Sequence, residues 1–206
     1  MRGLVLRPMV ASDAGEVMTV QRAAFLLEAQ LYRDPDLPPL VEGIDEICAL
    51  DDAHRGVVAV LGQRLVGSIR VRVDGRRLHL GRLSVAPDLQ GRGIGAALLA
   101  AGEAVADADE ALLFTGHLSA GNLRLYERAG YREERRERFN DRTVLVHLRK
   151  VLTASAQARE FSIRTSSAAS STSSDAAALS RMDAGLEAPG IGMTTGARDS
   201  SQASTT

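Results

Sequence analysis

The stretch of sequence that decides the fold passes from a strand through a glycine-rich turn into a helix, and it reads Leu83-Ser84-Val85-Ala86-Pro87-Asp88-Leu89-Gln90-Gly91-Arg92-Gly93-Ile94-Gly95-Ala96-Ala97-Leu98-Leu99. Proline has no N–H to donate to a sheet, so Pro87 marks the end of the strand. The alternating glycines form the turn. The apolar residues that follow predict a helix over about 93–106.

This turn predicts a binding site for a diphosphate group. Glycines at 91, 93 and 95 have no Cβ, so the backbone can approach a ligand closely. The first amides of a helix have no intrahelical acceptor, and the helix dipole makes that end positive. Both features favour a bound anion, and Arg92 adds a charged donor at the same end.

The residues on both sides of this segment predict a sheet with mostly antiparallel neighbours. Three strands that form a meander, with a hairpin turn at Asp74-Gly75, are predicted at 56–61, 65–73 and 78–85. A strand, a short helix and the two strands of a hairpin follow at 111–117, 119–129, 131–139 and 143–152. The unit spanning 78–117 should be a parallel crossover and therefore right-handed.

The N-terminal third is predicted to be mainly helical, after one short strand at 4–8. Ser12 or Asp13 is placed to cap a helix, with Glu16 as the reciprocal partner of a capping box. Apolar residues then follow helical spacing at Val17, Val20, Ala24 and Leu27.

Prolines between residues 35 and 39 end the first helix, because proline removes a donor and restricts the residue before it. A second short helix is predicted at about 40–50. The order of elements predicts an α+β protein with a mixed, mostly antiparallel sheet and helices on its faces.

Composition excludes several classes of protein. The 206 residues carry a formal net charge of −1, whereas a general nucleic-acid binder needs a surplus of Lys and Arg. The single cysteine, Cys48, rules out an internal disulfide framework and a Cys-rich metal site, and we expect it to be a core residue. No apolar run approaches the roughly 20 residues of a membrane helix. The N-terminus is too charged for a secretory signal, so we expect a cytoplasmic protein with no nucleic-acid or membrane partner.

The chain divides by composition at about residue 152. Residues 153–206 are mostly Ala, Ser and Thr and contain few large apolar residues. Such a segment buries too little apolar surface to offset its ordering cost of about 1–2 kcal/mol per residue. We therefore expect one folded domain at 1–152 and a disordered tail at 153–206.

The glycine turn alone also fits a dinucleotide site or a tight turn without a ligand. A dinucleotide fold would continue with a second parallel strand and an acidic residue about 20 positions on. Glu110 lies near that distance, but it precedes the next strand instead of ending it. The antiparallel meander before the turn also argues against a dinucleotide fold.

Two segments together resemble the GNAT superfamily of N-acetyltransferases. Gln90-x-x-Gly93-x-Gly95, after a strand that ends Leu-Ser-Val-Ala-Pro, resembles the acetyl-CoA motif of that family. Further on, the segment from Asn122 to Tyr131 resembles the family's Asn-x-x-x-Tyr-x-x-x-Gly-Phe/Tyr signature. The resemblance covers about residues 4–152. It implies a three-layer arrangement in which helices flank both faces of the mixed sheet.

The resemblance also implies where acetyl-CoA would bind. The pyrophosphate would lie on the backbone N–H groups of Gln90, Gly91, Arg92, Gly93, Ile94 and Gly95. The pantetheine arm would run along the strand edge formed by Leu83, Ser84 and Val85, with the Val85 N–H donating to the thioester carbonyl. Asn122 would contact the coenzyme near the pantetheine, and Tyr126 would stand beside the sulfur.

Three of these side chains also have a purely structural interpretation. Tyr126 shares a helix face with Leu123 and would then be a core residue. Asn122 would be only a residue of the first helical turn, with Ser119 as the N-cap, and Arg92 would be a solvated side chain.

The general base and the acceptor are less defined. Many relatives carry a glutamate on the strand before the glycine turn, whereas the segment 78–84 offers no carboxylate. Glu28, His117 and His79 are the candidate replacements, and a water chain is a further alternative. The acidic segment that contains Asp34, Asp36, Glu42, Asp45, Glu46, Asp51 and Asp52 would attract a cationic amine or form a solvated helix face.

The sequence thus predicts an acyltransferase that moves an acetyl group from acetyl-CoA to a primary amine. We expect direct attack in a ternary complex, no metal, a small-molecule or peptide acceptor, and a homodimer as a candidate assembly. One alternative is a coenzyme-binding regulatory module that has lost turnover. The other is a dinucleotide-dependent oxidoreductase.

Overall fold

The computed structural model describes residues 3–152, and the predicted tail at 153–206 lies outside the described residues. A seven-stranded sheet in the order β1-β2-β3-β4-β5-β7-β6 forms the centre of this part. Its strands are β1 Leu4–Pro8, β2 His54–Leu61, β3 Arg64–Asp74, β4 Arg77–Val85, β5 Glu110–Gly116, β6 Arg132–Arg138 and β7 Val144–Val151. Its helices are α1 Ala14–Tyr32, α2 Pro38–Val41, α3 Ile44–Cys48, α4 Ile94–Glu103 and α5 Ala120–Arg128.

The predicted fold class is confirmed. The sheet is mixed, with antiparallel pairing everywhere except between β4 and β5, and the helices flank it on both faces. The meander, the crossover between β4 and β5, and the final hairpin all form where the sequence predicts them, within a few residues. No helix within residues 3–152 is long and apolar enough to cross a membrane.

The strands β4 and β5 pair over only a short distance and then separate. Arg77, Leu78 and His79 pair with Glu110, Ala111 and Leu112, and no further pair forms between these two strands. On its other edge, β5 pairs with β7 along its whole length. The result is an opening between β4 and β5 on the side where α4 begins.

A bulge lies in β4 just before this opening. Ser68 pairs with Ser84 but Arg70 pairs with Gly81, so Ile69 faces two residues of β4. One of them, Arg82, has φ 53°, a conformation that L-residues seldom adopt. A bulge bends its strand and redirects a side chain, and here the Arg82 side chain reaches Glu42 at the end of α2.

An aliphatic core joins the sheet to α4. Leu98 and Leu99 are buried, and Gly102 lies so close to the sheet that a Cβ there would be 2.9 Å from Leu80 Cδ2. Glycine at 102 therefore lets the helix sit at this distance without displacing the ends of the Leu80 and Ile69 side chains. Cys48 is half-buried and packs against the core, as expected.

Two predictions for the N-terminal region are wrong in detail. The capping box with Glu16 does not form, because the Asp13 carboxylate instead accepts hydrogen bonds from Arg7 and from the Val10 N–H, at 2.7 and 2.9 Å. The helix predicted at about 40–50 is two short helices, α2 and α3, because Glu42 leaves the helical conformation with ψ 132°.

Candidate active site

A cleft of about 620 Å³ opens where β4 and β5 separate. Its walls come from α1, the end of β4, the glycine turn, the start of α4, and α5. This volume is typical of sites for small molecules and coenzymes. The cleft brings together most of the residues that the sequence singles out, namely Glu28, Leu83, Val85, Gln90, Gly91, Gly93, Ile94, Gly95 and Asn122.

The floor of the cleft is unpaired backbone. The first intrahelical bond of α4 joins the Ala97 N–H to the Gly93 carbonyl at 3.0 Å, so the preceding amides have no acceptor within the helix. Gly91 and Gly93 have φ values of 73° and 85°, which glycine adopts at little cost. Successive free N–H groups in such a turn make a concave site for an anion.

The edge of β4 along the cleft carries a free amide at Val85. The next amide, Ala86 N–H, donates to the Val66 carbonyl of β3 at 2.8 Å. Because alternate amides of a strand point to opposite edges, the Val85 N–H points toward the opening between β4 and β5. This amide is available to an extended ligand lying along the strand.

The space above this edge depends on Gly95. A Cβ at residue 95 would lie 3.5 Å from Leu125 Cδ2 on α5 and 3.8 Å from Val85 Cγ2 on β4. The first turn of α4, the end of β4 and α5 therefore meet around a residue without a side chain. A larger residue at 95 would project into the cleft.

Glu28 stands on α1 at the opposite wall. Its Oε2 accepts a hydrogen bond from the Ser119 hydroxyl at 2.5 Å, and its Oε1 accepts one from the Asn122 amide at 3.1 Å. Charge-assisted hydrogen bonds of this kind are short and strong. A carboxylate is thereby fixed between α1 and α5 at the surface of the cleft.

Tyr126 is buried, with 7% of its surface exposed, next to this carboxylate. Burial, and secondarily the negative charge of Glu28, raise the pKa of the Tyr126 phenol well above its usual value. Its ring packs edge-on against Tyr131, with 6.0 Å between the ring centroids. Its helix neighbours Leu125 and Ala129 line the cleft, whereas Tyr126 itself is not among the lining residues.

Four other candidates are not among the lining residues of the cleft. Ser84 is buried, with its hydroxyl donated to the Arg82 carbonyl, and Arg92 is exposed. His117 accepts a hydrogen bond from the Val144 N–H at its Nδ1, which leaves that nitrogen occupied. Burial lowers the pKa of His79, whose Nε2 lies 3.8 Å from Asp74.

A buried ion cluster lies between the end of α2 and the strands β3 and β4. The Glu42 carboxylate accepts hydrogen bonds from Arg70, Arg82 and Gln21. Although burial opposes the effect, these two arginines hold the pKa of Glu42 below its usual value. Glu42 is thus neutralised by its neighbours, and this part of the acidic segment does not present free negative charge to an acceptor.

Two arginines of the cleft were not selected from the sequence. Arg124 and Arg128 lie four residues apart on α5, so they share one face of the helix, and both line the cleft. No ion pair involves either side chain within residues 3–152. The i, i+4 spacing of two basic residues inside the second motif is the signal that could have found them.

Comparisons with known proteins identify the class to which this sheet and cleft belong. A family model described as "Acetyltransferase (GNAT) domain" matches residues 44–152, more than half of the chain. The chain belongs to the GNAT acetyltransferases. No curated protein sequence matches it.

Solved structures with the same fold include three N-acetyltransferases. The ribosomal-protein-S18-alanine N-acetyltransferase from Escherichia coli is 14% identical, with a TM-score of 0.61 over 75% of this chain and 97% of that one. The spermidine N-acetyltransferase from Vibrio cholerae, in complex with CoA and spermine, is 17% identical, with a TM-score of 0.59 over 75% and 98%. The PaiA N-acetyltransferase from Thermoplasma acidophilum, in complex with coenzyme A, is 16% identical, with a TM-score of 0.58 over 72% and 99%. At these identities the likeness shows the fold.

Proposed function

We propose that the protein transfers an acetyl group from acetyl-CoA to a primary amine by direct attack in a ternary complex. The observation that carries the proposal is the cleft itself, in which free amides of the glycine turn, the free Val85 N–H and the Glu28 carboxylate all face one space. Two of the structures with the same fold were solved in complex with coenzyme A, which supports a coenzyme as the ligand.

The residues of the cleft fit the parts of acetyl-CoA. The free amides of residues 90–95 suit the pyrophosphate. The Val85 N–H suits the thioester oxygen, on which negative charge develops as the amine attacks, and one such donor is worth about 2.7–4 kcal/mol in well-studied enzymes. Arg124 and Arg128 suit the phosphate on the adenosine ribose, because each offers charged donors on the wall of the cleft that α5 forms.

Glu28 is the group best placed to receive the proton of the attacking amine. It lines the cleft, whereas His117 and His79 do not, and hydrogen bonds from Ser119 and Asn122 hold its two oxygens in place. Tyr126 does not line the cleft, but its helix neighbours Leu125 and Ala129 do, and the family resemblance makes it the candidate acid for the departing thiolate. Its phenol has a proton to give, although burial raises its pKa and so weakens it as an acid. The transfer forms a C–N bond, breaks the C–S bond and leaves a free thiol.

The proposal is tested by calorimetric titration of the full chain with acetyl-CoA, followed by release of free thiol with a panel of primary amines. We expect binding together with amine-dependent thiol release. No binding at millimolar acetyl-CoA would remove the proposal. Binding without turnover would favour the alternative of a regulatory module, which the absence of a carboxylate on residues 78–84 supports.

The role of the two arginines has its own test. The double variant Arg124→Gln/Arg128→Gln should bind CoA about fivefold more weakly, because two exposed ion pairs together contribute about 1 kcal/mol. Its affinity for dephospho-CoA should be unchanged. Arg132→Gln/Arg138→Gln, which removes the same charge from the exposed strand β6, is the matched control. Equal losses for both ligands would place the ribose phosphate elsewhere.

The role of Glu28 as the general base has a separate test. Glu28→Gln should lower kcat/KM for the amine about tenfold, because it removes one charge-assisted interaction with the acceptor while water can still take the proton. His117→Gln should change kcat/KM little. A larger loss in the His117 variant would reassign the base to that histidine.

The acceptor is a small-molecule or peptide amine in this proposal. The named relatives include one that acts on a ribosomal protein and one that acts on spermidine. The cytoplasmic location and the homodimer that the sequence suggests stay predictions.

A further inference from the structure

A chain of hydrogen bonds runs from the end of α1 to the cleft. The Tyr32 hydroxyl lies 3.2 Å from Ser119 Oγ, and Ser119 Oγ lies 2.5 Å from Glu28 Oε2. At the other end of the chain, the Leu118 N–H donates to the Tyr32 hydroxyl oxygen at 2.7 Å. Tyr32 and Ser119 are buried, at 5% and 4% exposure, and neither lines the cleft.

The direction of every proton in this chain is fixed by simple chemistry. An ionised carboxylate only accepts, so the single proton of the Ser119 hydroxyl points to Glu28. Ser119 must then accept from Tyr32, and the Tyr32 oxygen accepts from the Leu118 amide. Burial raises the pKa of the Tyr32 phenol, which keeps its proton in place. Aligned hydrogen bonds of this kind polarise one another toward the carboxylate.

The fold makes room for this chain at one residue of β5. A Cβ on Gly116 would overlap the Tyr32 hydroxyl, so the tyrosine reaches Ser119 only because residue 116 has no side chain. Tyr32 is also the last residue of α1, which ends at Arg33 in the left-handed conformation with φ 52°. The end of α1, the end of β5 and the start of α5 thus meet at the buried hydroxyl of Tyr32.

This chain of hydrogen bonds reaches both sides of the cleft through Glu28. The second oxygen of Glu28 holds the Asn122 amide, and Asn122 lines the cleft on the side of α5. Each carboxylate oxygen can accept a further hydrogen bond, and those positions are available to the acceptor amine. A long glutamate side chain that was not held at both oxygens would lose rotamer freedom on binding an amine.

We propose that Tyr32 and Ser119 are positioning residues for the transfer, because they hold the Glu28 carboxylate where the acceptor amine must bind. This inference rests on the proposed function of Glu28. Neither Tyr32 nor Ser119 touches the substrates, and both act through Glu28.

The kinetic test is a double-mutant cycle on Tyr32→Phe and Glu28→Gln. Tyr32→Phe should lower kcat/KM for the amine about three- to tenfold, the effect of one lost hydrogen bond, with KM for acetyl-CoA unchanged. In the Glu28→Gln background the same change should have almost no effect, since the group that it positions is absent. Tyr131→Phe, which removes another buried phenol hydroxyl outside the cleft, should leave kcat/KM unchanged. Equal factors in both backgrounds, or no loss in Tyr32→Phe, would overturn the inference.

A second measurement does not depend on activity. The side-chain amide resonance of Asn122, assigned with Asn122→Asp, should move in Tyr32→Phe and in Ser119→Ala and should stay in place in Tyr131→Phe. Ser119→Thr, which keeps a hydroxyl, should restore the resonance and the rate in part. An Asn122 resonance that does not move in Tyr32→Phe would overturn the inference, even if no amine is acetylated. Absence of acetyl transfer alone would count against the proposed function.

Discussion

Gly95→Val should weaken acetyl-CoA binding about 10- to 100-fold while the domain remains folded. A Cβ at this position meets Leu125 and Val85 only at ordinary contact distance, so the first added carbon fits. The two further methyl groups of valine project into the space between β4 and α5. Overpacking of a fitted space costs about 1–3 kcal/mol, a range that brackets the 10- to 100-fold loss of affinity expected here.

The matched control for this variant is Gly15→Val. Gly15 also lies in the first turn of a helix, has nothing within 4 Å of a Cβ, and does not line the cleft. Both variants should show similar melting temperatures, and calorimetric titration with acetyl-CoA should separate them. Full affinity in Gly95→Val would mean that the coenzyme does not use this opening of the sheet.

Tyr126→Phe should lower kcat about 100-fold or more and leave the affinity for acetyl-CoA unchanged. The phenol is protonated throughout the pH range of an assay and can supply a proton to the thiolate as the C–S bond breaks, although burial raises its pKa and so weakens it as an acid. Phenylalanine keeps the ring and its packing on Tyr131 and removes only the hydroxyl group that would donate the proton.

Tyr131→Phe again provides the comparison, because Tyr131 is a second buried tyrosine that packs on the first. Steady-state kinetics with a saturating amine should show the loss in the Tyr126 variant alone. An unchanged kcat in Tyr126→Phe would show that the phenol is a core residue and that solvent protonates the thiol. Free-thiol release measured over several pH values would confirm that result.

The order of elements was predictable from the sequence because each segment has a strong local signal. The hairpin at Asp74-Gly75, the break at Pro87 and the glycine turn each depend on residues whose backbone preferences are narrow. The helix start near Asp13 was less predictable. Arg7 lies on another element, and its ion pair with Asp13 outcompetes the local cap.

The coenzyme side of the cleft was more predictable than the acceptor side for the same reason. Free amides at residues 90–95 follow from chain order alone, whereas the surroundings of Glu28 depend on Ser119 and Asn122, about 90 positions away. Glu42 shows the limit of charge counting. The sequence predicts that its negative charge belongs to an acidic surface, whereas in the fold the Glu42 carboxylate is buried against two arginines.

The short pairing between β4 and β5 has a mechanical consequence. Only three residue pairs join the strands β1–β4 to the strands β5, β7 and β6, so the two halves of the sheet are weakly paired at its middle. A molecule lying along the free edge of β4 would fill the opening and contact both halves of the sheet. Amide hydrogen exchange in β5 and β7 should therefore slow when the opening is filled, because separation of the halves would then require the ligand to leave first.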